Sequence, residues 1–224
     1  MNIDILKVGY LETNCYILTK NNKSLIIDPG DDENFIVSRI KKLNTTPIAI
    51  LLTHHHEDHT GCVKPLSSMY GIKVYDYNNL FEGNHQIEDF SFEVIYTKGH
   101  SATSVTYYFP KEKVMFVGDF IFYENIGRTD LPTGDYKEMI KSIDKIGEYP
   151  NDTKIYPGHG RTTTLEHEKK YNEYFLFDTL SGIYFVALVR KYPKGYRICC
   201  EKSLNNLNLS LRISRNNHYF SEKR

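Results

Sequence analysis

Residues 54–59 read His-His-His-Glu-Asp-His, placing four of the nine histidines and two carboxylates directly behind the apolar run 48–52. Neutral imidazole and ionised carboxylate are the donors that borderline divalent cations such as zinc select. A packing role for so many imidazoles would demand as many hydrogen-bond partners. More donors of the same kind stand beside glycines further along: His100 after Gly99, Asp119 after Gly118, and His159 between Gly158 and Gly160.

Local geometry divides these donors. In an extended or irregular stretch alternate residues share a side, so His54 and His56 can address one cation while His55 points away. At a turn into a helix the adjacent Asp58 and His59 can reach a second cation. The expected arrangement is His54, His56 and His100 on one ion, Asp58, His59 and His159 on the other, and Asp119 bridging. Two cations about 3.5–4 Å apart share a water and lower its pKa from about 15.7 toward neutrality. The expected cofactor is therefore two divalent ions. Zinc is the first choice, and iron or manganese are compatible with the same nitrogen and oxygen donors.

Strands must deliver these donors. Residues 2–8 alternate apolar and polar, 14–19 are β-rich, and Asn21-Asn22-Lys23 offers a turn into 24–27, so the chain opens as a strand meander. Asp28-Pro29-Gly30 breaks it, and Ile36, Val37, Ile40 and Leu43 follow at helical spacing behind Asp31, Asp32 and Glu33. The short apolar run 48–52 reads as a strand buried on both faces, which puts the histidine cluster just past a strand's carboxyl end. A helix is expected over 60–70 and strands over 72–75 and 90–97. A hairpin of 105–109 with 114–117 delivers Asp119. Tyr136, Met139, Ile140, Ile143 and Ile146 share a helical face, 154–156 forms a strand leading to His159, and 165–175 forms a final helix. Every proposed ligand falls where a strand gives way to a loop.

The length of 224 residues, 40% hydrophobic and 25% charged, suits one domain over 1–176 with a short basic extension over 177–224. That extension reads as β-rich, with apolar stretches at 183–189 and 207–213, and packed on the core. Residues 190–224 carry nine Lys or Arg against two Glu, a net +7 balanced by −7 in the rest. Such an end reads first as a solvated surface rather than a nucleic-acid device. The four cysteines lack Cys-x-x-Cys spacing, residues 1–7 lack the basic start and long apolar stretch expected of a secretory leader, and no run approaches the roughly 20 apolar residues of a membrane span. A cytoplasmic setting without a membrane partner is expected, and the sequence carries no signal for oligomeric state. Cys62 reads as helix packing, and His55, His85, His167 and His218 as surface residues.

Taken in order, Thr-His-His-His-Glu-Asp-His at 53–59, Thr-Lys-Gly-His-Ser at 97–101, Gly118-Asp119, Gly-Arg-Thr-Asp at 127–130 and Tyr-Pro-Gly-His-Gly at 156–160 resemble the motifs of the metallo-β-lactamase superfamily. Within it they resemble the glyoxalase II-like hydroxyacylglutathione hydrolases, as do Asn14-Cys15-Tyr16 and Asp28-Pro29-Gly30. The first motif matches His-x-His-x-Asp-His at every defined position, and the resemblance spans roughly residues 10–170. It implies an α/β fold, a four-layer αβ/βα sandwich of two mixed sheets with the metals at one edge. It also implies hydrolysis of a small-molecule thioester, such as S-D-lactoylglutathione, by a metal-bridging hydroxide. Asp58 and Asp119 would be catalytic as well as ligating, and Asp28 and Thr53 would support the ligand loop. Arg128 and Asp130 either orient substrate or pair with each other to order their loop, and Tyr123 is a candidate for the pocket wall. The larger members hold glutathione with a helical C-terminal domain, which residues 177–224 do not resemble, so the thiol carrier stays open.

Two further readings are carried. A mononuclear iron persulfide dioxygenase shares the Gly-Arg-Thr-Asp motif and would use His54, His100 and Asp119 as a facial triad. A phosphodiesterase-like nuclease or RNA-binding protein would draw on the basic tail.

Overall fold

The computed structural model describes residues 1–176, 197–201, 210–215 and 218–222. Strands β1 (Asn2–Val8), β2 (Thr13–Lys20) and β3 (Lys23–Ile27) form the antiparallel meander, and β4 (Thr46–Leu51) and β5 (Lys73–Tyr75) extend it in parallel. Asn21 and Asn22 turn β2 into β3 with φ of 51° and 60°, a two-residue geometry whose twist matches the flanking strands. The parallel steps pass through α1 (Glu33–Leu43), then through α2 (Glu57–Thr60) and α3 (Val63–Tyr70). The single helix expected over 60–70 is thus replaced by two, the first beginning at Glu57. The break has a hydrogen-bonding cause: the Cys62 N–H donates to Pro29 O at 2.9 Å instead of continuing the first helix. Gly30 makes the approach possible, because a Cβ there would lie 1.6 Å from Asp58 O.

The second sheet contains β6 (Gly83–Ile87), β7 (Phe90–Tyr96), β8 (Val105–Phe109) and β9 (Val114–Gly118). After it come a two-stranded ribbon of β10 (Ile121–Phe122) with β11 (Asn125–Ile126), helix α4 (Tyr136–Gly147), strands β12 (Lys154–Pro157) and β13 (Thr163–Thr164), and helix α5 (Leu165–Tyr171). Its order is β13-β12-β9-β8-β7-β6, with β9–β12 its parallel pair. Sequence patterning missed β6, whose Gly-Asn-His-Gln-Ile is a half-exposed edge without apolar alternation, and missed the two-residue strands, which are too short to show a period. The helix expected over 165–175 stops at Tyr171 and resumes as a 3-10 turn, Glu173–Leu176.

Alternation along the strands separates three cores. Tyr16, Leu18, Leu25, Ile27 and Leu51 face Phe92, Val94, Tyr107 and Phe116 between the sheets. On the outer face of the first sheet, Ile17, Ile26 and Ile50 pack under Ile36 and Ile40 of α1, Leu66 of α3, and Cys62. Outside the second, Ile95, Met115, Val117 and Ile155 pack under Met139, Ile143 and Ile146 of α4 and Leu165 of α5. The result is a four-layer α/β/β/α sandwich of two mixed sheets.

The chain separates into two compact units, Met1–Leu176 and Phe177–Arg224. In the second, β14 (Arg197–Glu201), β15 (Ser210–Arg215) and β16 (His218–Glu222) form an antiparallel three-stranded sheet. The strand expected at 183–189 lies outside the described residues, as do 207–209. Among the described residues no helix is long and apolar enough to cross a membrane.

One buried carboxylate ties α5 to its surroundings. Glu168 is fully buried and accepts hydrogen bonds from Thr163 Oγ1 (2.7 Å), Asn172 Nδ2 (2.7 Å) and the Glu124 N–H (3.0 Å). Replacing it by alanine strands those donors. Glu168→Ala is expected to cost about 3 kcal/mol and, at about 2–4 °C per kcal/mol for a chain of this size, to lower Tm by roughly 10 °C in a thermal melt.

Candidate metal centre

One edge of the sandwich collects the loops that leave β4, β7, β9 and β12. His54 and His56 follow β4, Asp58 and His59 lie in α2, His100 follows β7, Asp119 follows β9 directly, and His159 follows β12. All seven sequence-predicted ligand candidates therefore meet, although they span more than a hundred residues of chain.

Their donor atoms form two groups. His54 Nε2 and His100 Nε2 lie 3.1 and 2.9 Å from His56 Nδ1. His59 Nε2 and His159 Nε2 lie 3.4 and 3.1 Å from Asp58 Oδ2. Asp119 stands between the groups: Oδ1 is 3.3 Å from His59 Nε2, and Oδ2 is 3.5 Å from His159 Nε2 and 3.7 Å from His100 Nε2. Tetrahedral ligands about 2.0–2.1 Å from a zinc ion sit about 3.3 Å from each other. His54/His56/His100, His54/His59/Asp119 and Asp58/His59/His159 are each compact enough to hold an ion. Two atoms make the case sharper, since His59 Nε2 and Asp119 Oδ1 are buried without a hydrogen-bond partner in the protein. Orphaned buried lone pairs are costly unless a ligand meets them, and a divalent cation fits this donor set.

The outer ring nitrogens are held. His59 Nδ1 lies 2.9 Å from Asp28 Oδ2, His100 Nδ1 lies 2.8 Å from Arg128 O, and His159 Nδ1 lies 3.1 Å from Leu11 O. Donating Nδ1–H to these oxygens leaves each Nε2 lone pair facing the centre. His54 Nδ1 contacts Thr53 Oγ1 at 3.1 Å, and Asp28 accepts from both Thr53 N (2.8 Å) and Thr53 Oγ1 (2.6 Å). Asp28 and Thr53 thus brace rings in both groups. The loop carrying His159 is pinned to the first sheet by Asn14 Nδ2, which donates to Pro157 O (2.9 Å) and Gly160 O (3.0 Å). Gly158 must stay bare, because a Cβ there would lie 2.2 Å from Asp119 Oδ1.

Electrostatics follow from this crowding. Burial, then the nearby His59, hold His54 well below the usual imidazole range, and burial followed by His100 lowers His56. Both rings are neutral at pH 7. For Asp58 and Asp119, burial favours the neutral acid but is outweighed by the hydrogen bond of each to His159 and by the charge of His59, so both stay ionised. Burial likewise opposes charge on His59, yet Asp28 and Asp119 raise it to about 10, while bonds to Asp119 and Asp58 raise His159 to about 9. A field that holds protons on these two rings would also attract a divalent cation, which would bind by displacing them.

The remaining predicted residues are placed as follows. Arg128 and Asp130 form a bidentate pair at 2.7 and 2.8 Å on the surface. Tyr123 stacks on His167 with centroids 4.6 Å apart, and the Arg161 guanidinium sits 3.3 Å from its ring centre. His55 turns away from the centre to Asp76 Oδ2, 3.0 Å away. Sequence reasoning missed Thr13, whose Oγ1 donates to Asp58 Oδ2 at 3.0 Å, along with the structural task of Asn14 and Arg161. A polar Asn14 inside an apolar strand was the available signal. Beside Asp58 opens a groove of about 340 Å³, lined by Tyr10, Leu11, Thr13, Asp31 and Glu57 among others. Tyr10 is 98% exposed and Leu11 58%, so apolar surface borders the centre.

Comparison with known proteins agrees with this architecture. The family model of the metallo-beta-lactamase superfamily matches residues 8–80 and 72–159. The chain is 31% identical over 207 residues to the hydroxyacylglutathione hydrolase GloC of Haemophilus influenzae, covering 78% of this chain and 98% of that protein. Among solved structures, the B3 metallo-beta-lactamase BLEG-1 is 33% identical with a TM-score of 0.76, over 79% of this chain and 100% of the other. A second, solved in a di-iron-bound form, is 30% identical with a TM-score of 0.71, over 76% and 99%. ETHE1 from Myxococcus xanthus, 21% identical with a TM-score of 0.76 over 87% and 93%, shares the fold. With its ordered motifs, its four-layer sandwich and the His/Asp clusters at one edge, the chain belongs to the metallo-β-lactamase superfamily, in its glyoxalase II-like subgroup.

Proposed function

We propose that the protein hydrolyses a small-molecule thioester at a pair of divalent metal ions. One observation carries the reading: Asp119 stands between two donor triads, and His59 Nε2 and Asp119 Oδ1, 3.3 Å apart, are buried with no hydrogen-bond partner in the protein. His54, His56 and His100 would hold one ion, Asp58, His59 and His159 the other, with Asp119 between them. Zinc is the first expectation, and iron is favoured next by the di-iron form of a relative. When bound, such a pair lowers the pKa of a shared water and polarises an acyl oxygen. The thioester class is supported by the similarity to GloC.

The chain's own groups then do the following. Asp58 Oδ2 is engaged by Thr13 and the rings of His59 and His159, and Oδ1 has no partner among the described residues. Being ionised and 24% exposed beside the groove, Asp58 orients the attacking water through Oδ1 and takes its proton as the water oxygen bonds to the acyl carbon, after which the carbon–sulfur bond breaks. That proton ends on the departing thiolate. Tyr10 and Leu11 give an apolar wall that limits water around the reacting carbonyl. Buried free Cys15 and Cys62 are compatible with a reducing cytoplasmic setting.

Metal analysis together with assays on S-D-lactoylglutathione, a coenzyme A thioester and a β-lactam tests the reading. Two ions per chain and turnover of a thioester are expected. Chelation with EDTA should abolish that turnover and lower Tm, and zinc should restore both. One iron per chain with oxygen uptake on a persulfide, or turnover of the lactam alone, would overturn it.

A further inference from the structure

Arg161 stands two residues beyond His159, so their Cα atoms are at most about 7 Å apart. Its partner in stacking, Tyr123, follows Phe122, whose ring packs against that of His159 with centroids 6.2 Å apart. Both members of the Arg161–Tyr123 stack are therefore tethered to one metal-ligand candidate. The stack is itself braced, because Tyr123 lies on His167, and His167 Nε2 is 2.8 Å from Glu124 Oε1.

What distinguishes Arg161 is the state of its donors. The guanidinium lies 3.3 Å from the Tyr123 centroid, an arrangement that fixes the planar group while leaving its edge N–H bonds available. Among the described residues Arg161 makes no hydrogen bond and no ion pair within 4 Å, although Glu124 lies close enough to feel its charge. Arg128, the other arginine near the centre, has spent its fork on Asp130, and Glu124, the carboxylate beside Arg161, is engaged by His167. On the groove side the charges have the opposite sign, since Asp31, Glu57 and Asp58 line it. An anionic group on the substrate is repelled there and attracted at the Arg161 side.

We propose that Arg161, held flat on Tyr123, anchors an oxyanion, a carboxylate or phosphate of the thiol carrier, and so sets which thioesters the site accepts. The assignment rests on the hydrolase reading above for the identity of the carrier, but the anion contact itself does not require turnover. Arg161 is a specificity residue in this role, because a planar guanidinium meets such a group through two parallel hydrogen bonds.

Calorimetric titration of the zinc-loaded protein tests it with two unreactive probes, S-methylglutathione for carboxylates and desulfo-coenzyme A for phosphates. One of them should bind wild type, Arg161→Gln should weaken that binding about 10–100-fold, and Arg161→Lys should recover part of the loss. The ratio of kcat/KM for the matching anionic thioester to that for the uncharged N-acetylcysteamine thioester of the same acyl group should fall by a similar factor, mainly through KM. Binding of neither probe, equal binding to wild type and Arg161→Gln, or an unchanged ratio overturns the assignment. Arg161-dependent binding without hydrolysis of any thioester would retain the anchor and remove the hydrolase reading.

Discussion

Asp58→Ala is expected to reduce kcat about 10³-fold while Tm moves by no more than a few degrees. The asymmetry follows from where the carboxylate sits. Asp58 occupies the first turn of the one-turn helix α2 and keeps 24% of its side chain exposed, so truncation opens no cavity in a core. Its removal also relieves the like-charge crowding with Asp119. What disappears is a carboxylate lining the groove, together with one donor of the Asp58/His59/His159 triad. Metal content should fall toward one ion per chain, measured by elemental analysis beside single-turnover kinetics on the accepted thioester. Full turnover in Asp58→Ala with two ions retained would remove Asp58 from the mechanism.

Asp28→Ala acts in the opposite sense, as a structural lesion that reaches the centre. Asp28 is buried at 1% exposure and takes three hydrogen bonds, from Thr53 N, Thr53 Oγ1 and His59 Nδ1. Alanine leaves all three donors buried without an acceptor, at a cost of about 3–5 kcal/mol. At about 2–4 °C per kcal/mol, Tm should drop by roughly 10–15 °C. The ring of His59 also loses the bond that keeps its Nε2 facing Asp119, so metal affinity should fall by about 10–100-fold, the range typical of such outer partners. Asp28→Asn separates the two effects, because its amide oxygen still accepts from Thr53 while its NH₂ cannot accept from His59. The asparagine variant should therefore regain Tm more than metal affinity, read by thermal melts and competitive metal titration. Equal recovery of both would mean that Asp28 acts through the fold alone.

Both Asp28 variants probe the same feature, a ligand loop braced from the adjacent strand. Because Asp28 exits β3 and Thr53 exits the parallel neighbour β4, their bonds fasten two adjacent loop starts together. His54 then begins its course from a fixed point. The tie places a candidate ligand without a bulky core residue near the centre.

Much of this was legible in the chain. Donor types are written in side chains, and the spacing of His54, His56, Asp58 and His59 sets the local pairing within a single short stretch. The strands β2, β3, β4, β8 and β9 announced themselves through apolar runs because they are buried on both faces, and α4 through a single apolar stripe. Asymmetric burial leaves a period in sequence; the exposed edge strand β6 and the two-residue strands leave none.

Three-dimensional contact decided the rest. Leu11 O and Arg128 O hold the rings of His159 and His100, yet every residue has a carbonyl and no side chain advertises which one is used. The break between α2 and α3 depends on Pro29 O capturing the Cys62 N–H, a bond between segments more than thirty residues apart. Arg161 looks like any surface cation until Tyr123 arrives beneath it from the ribbon. Side-chain chemistry is local and can be read along the chain. Which donors converge, which lone pairs are left buried, and which backbone oxygens orient them depend on contacts between distant segments, and those exist only after the two sheets have packed.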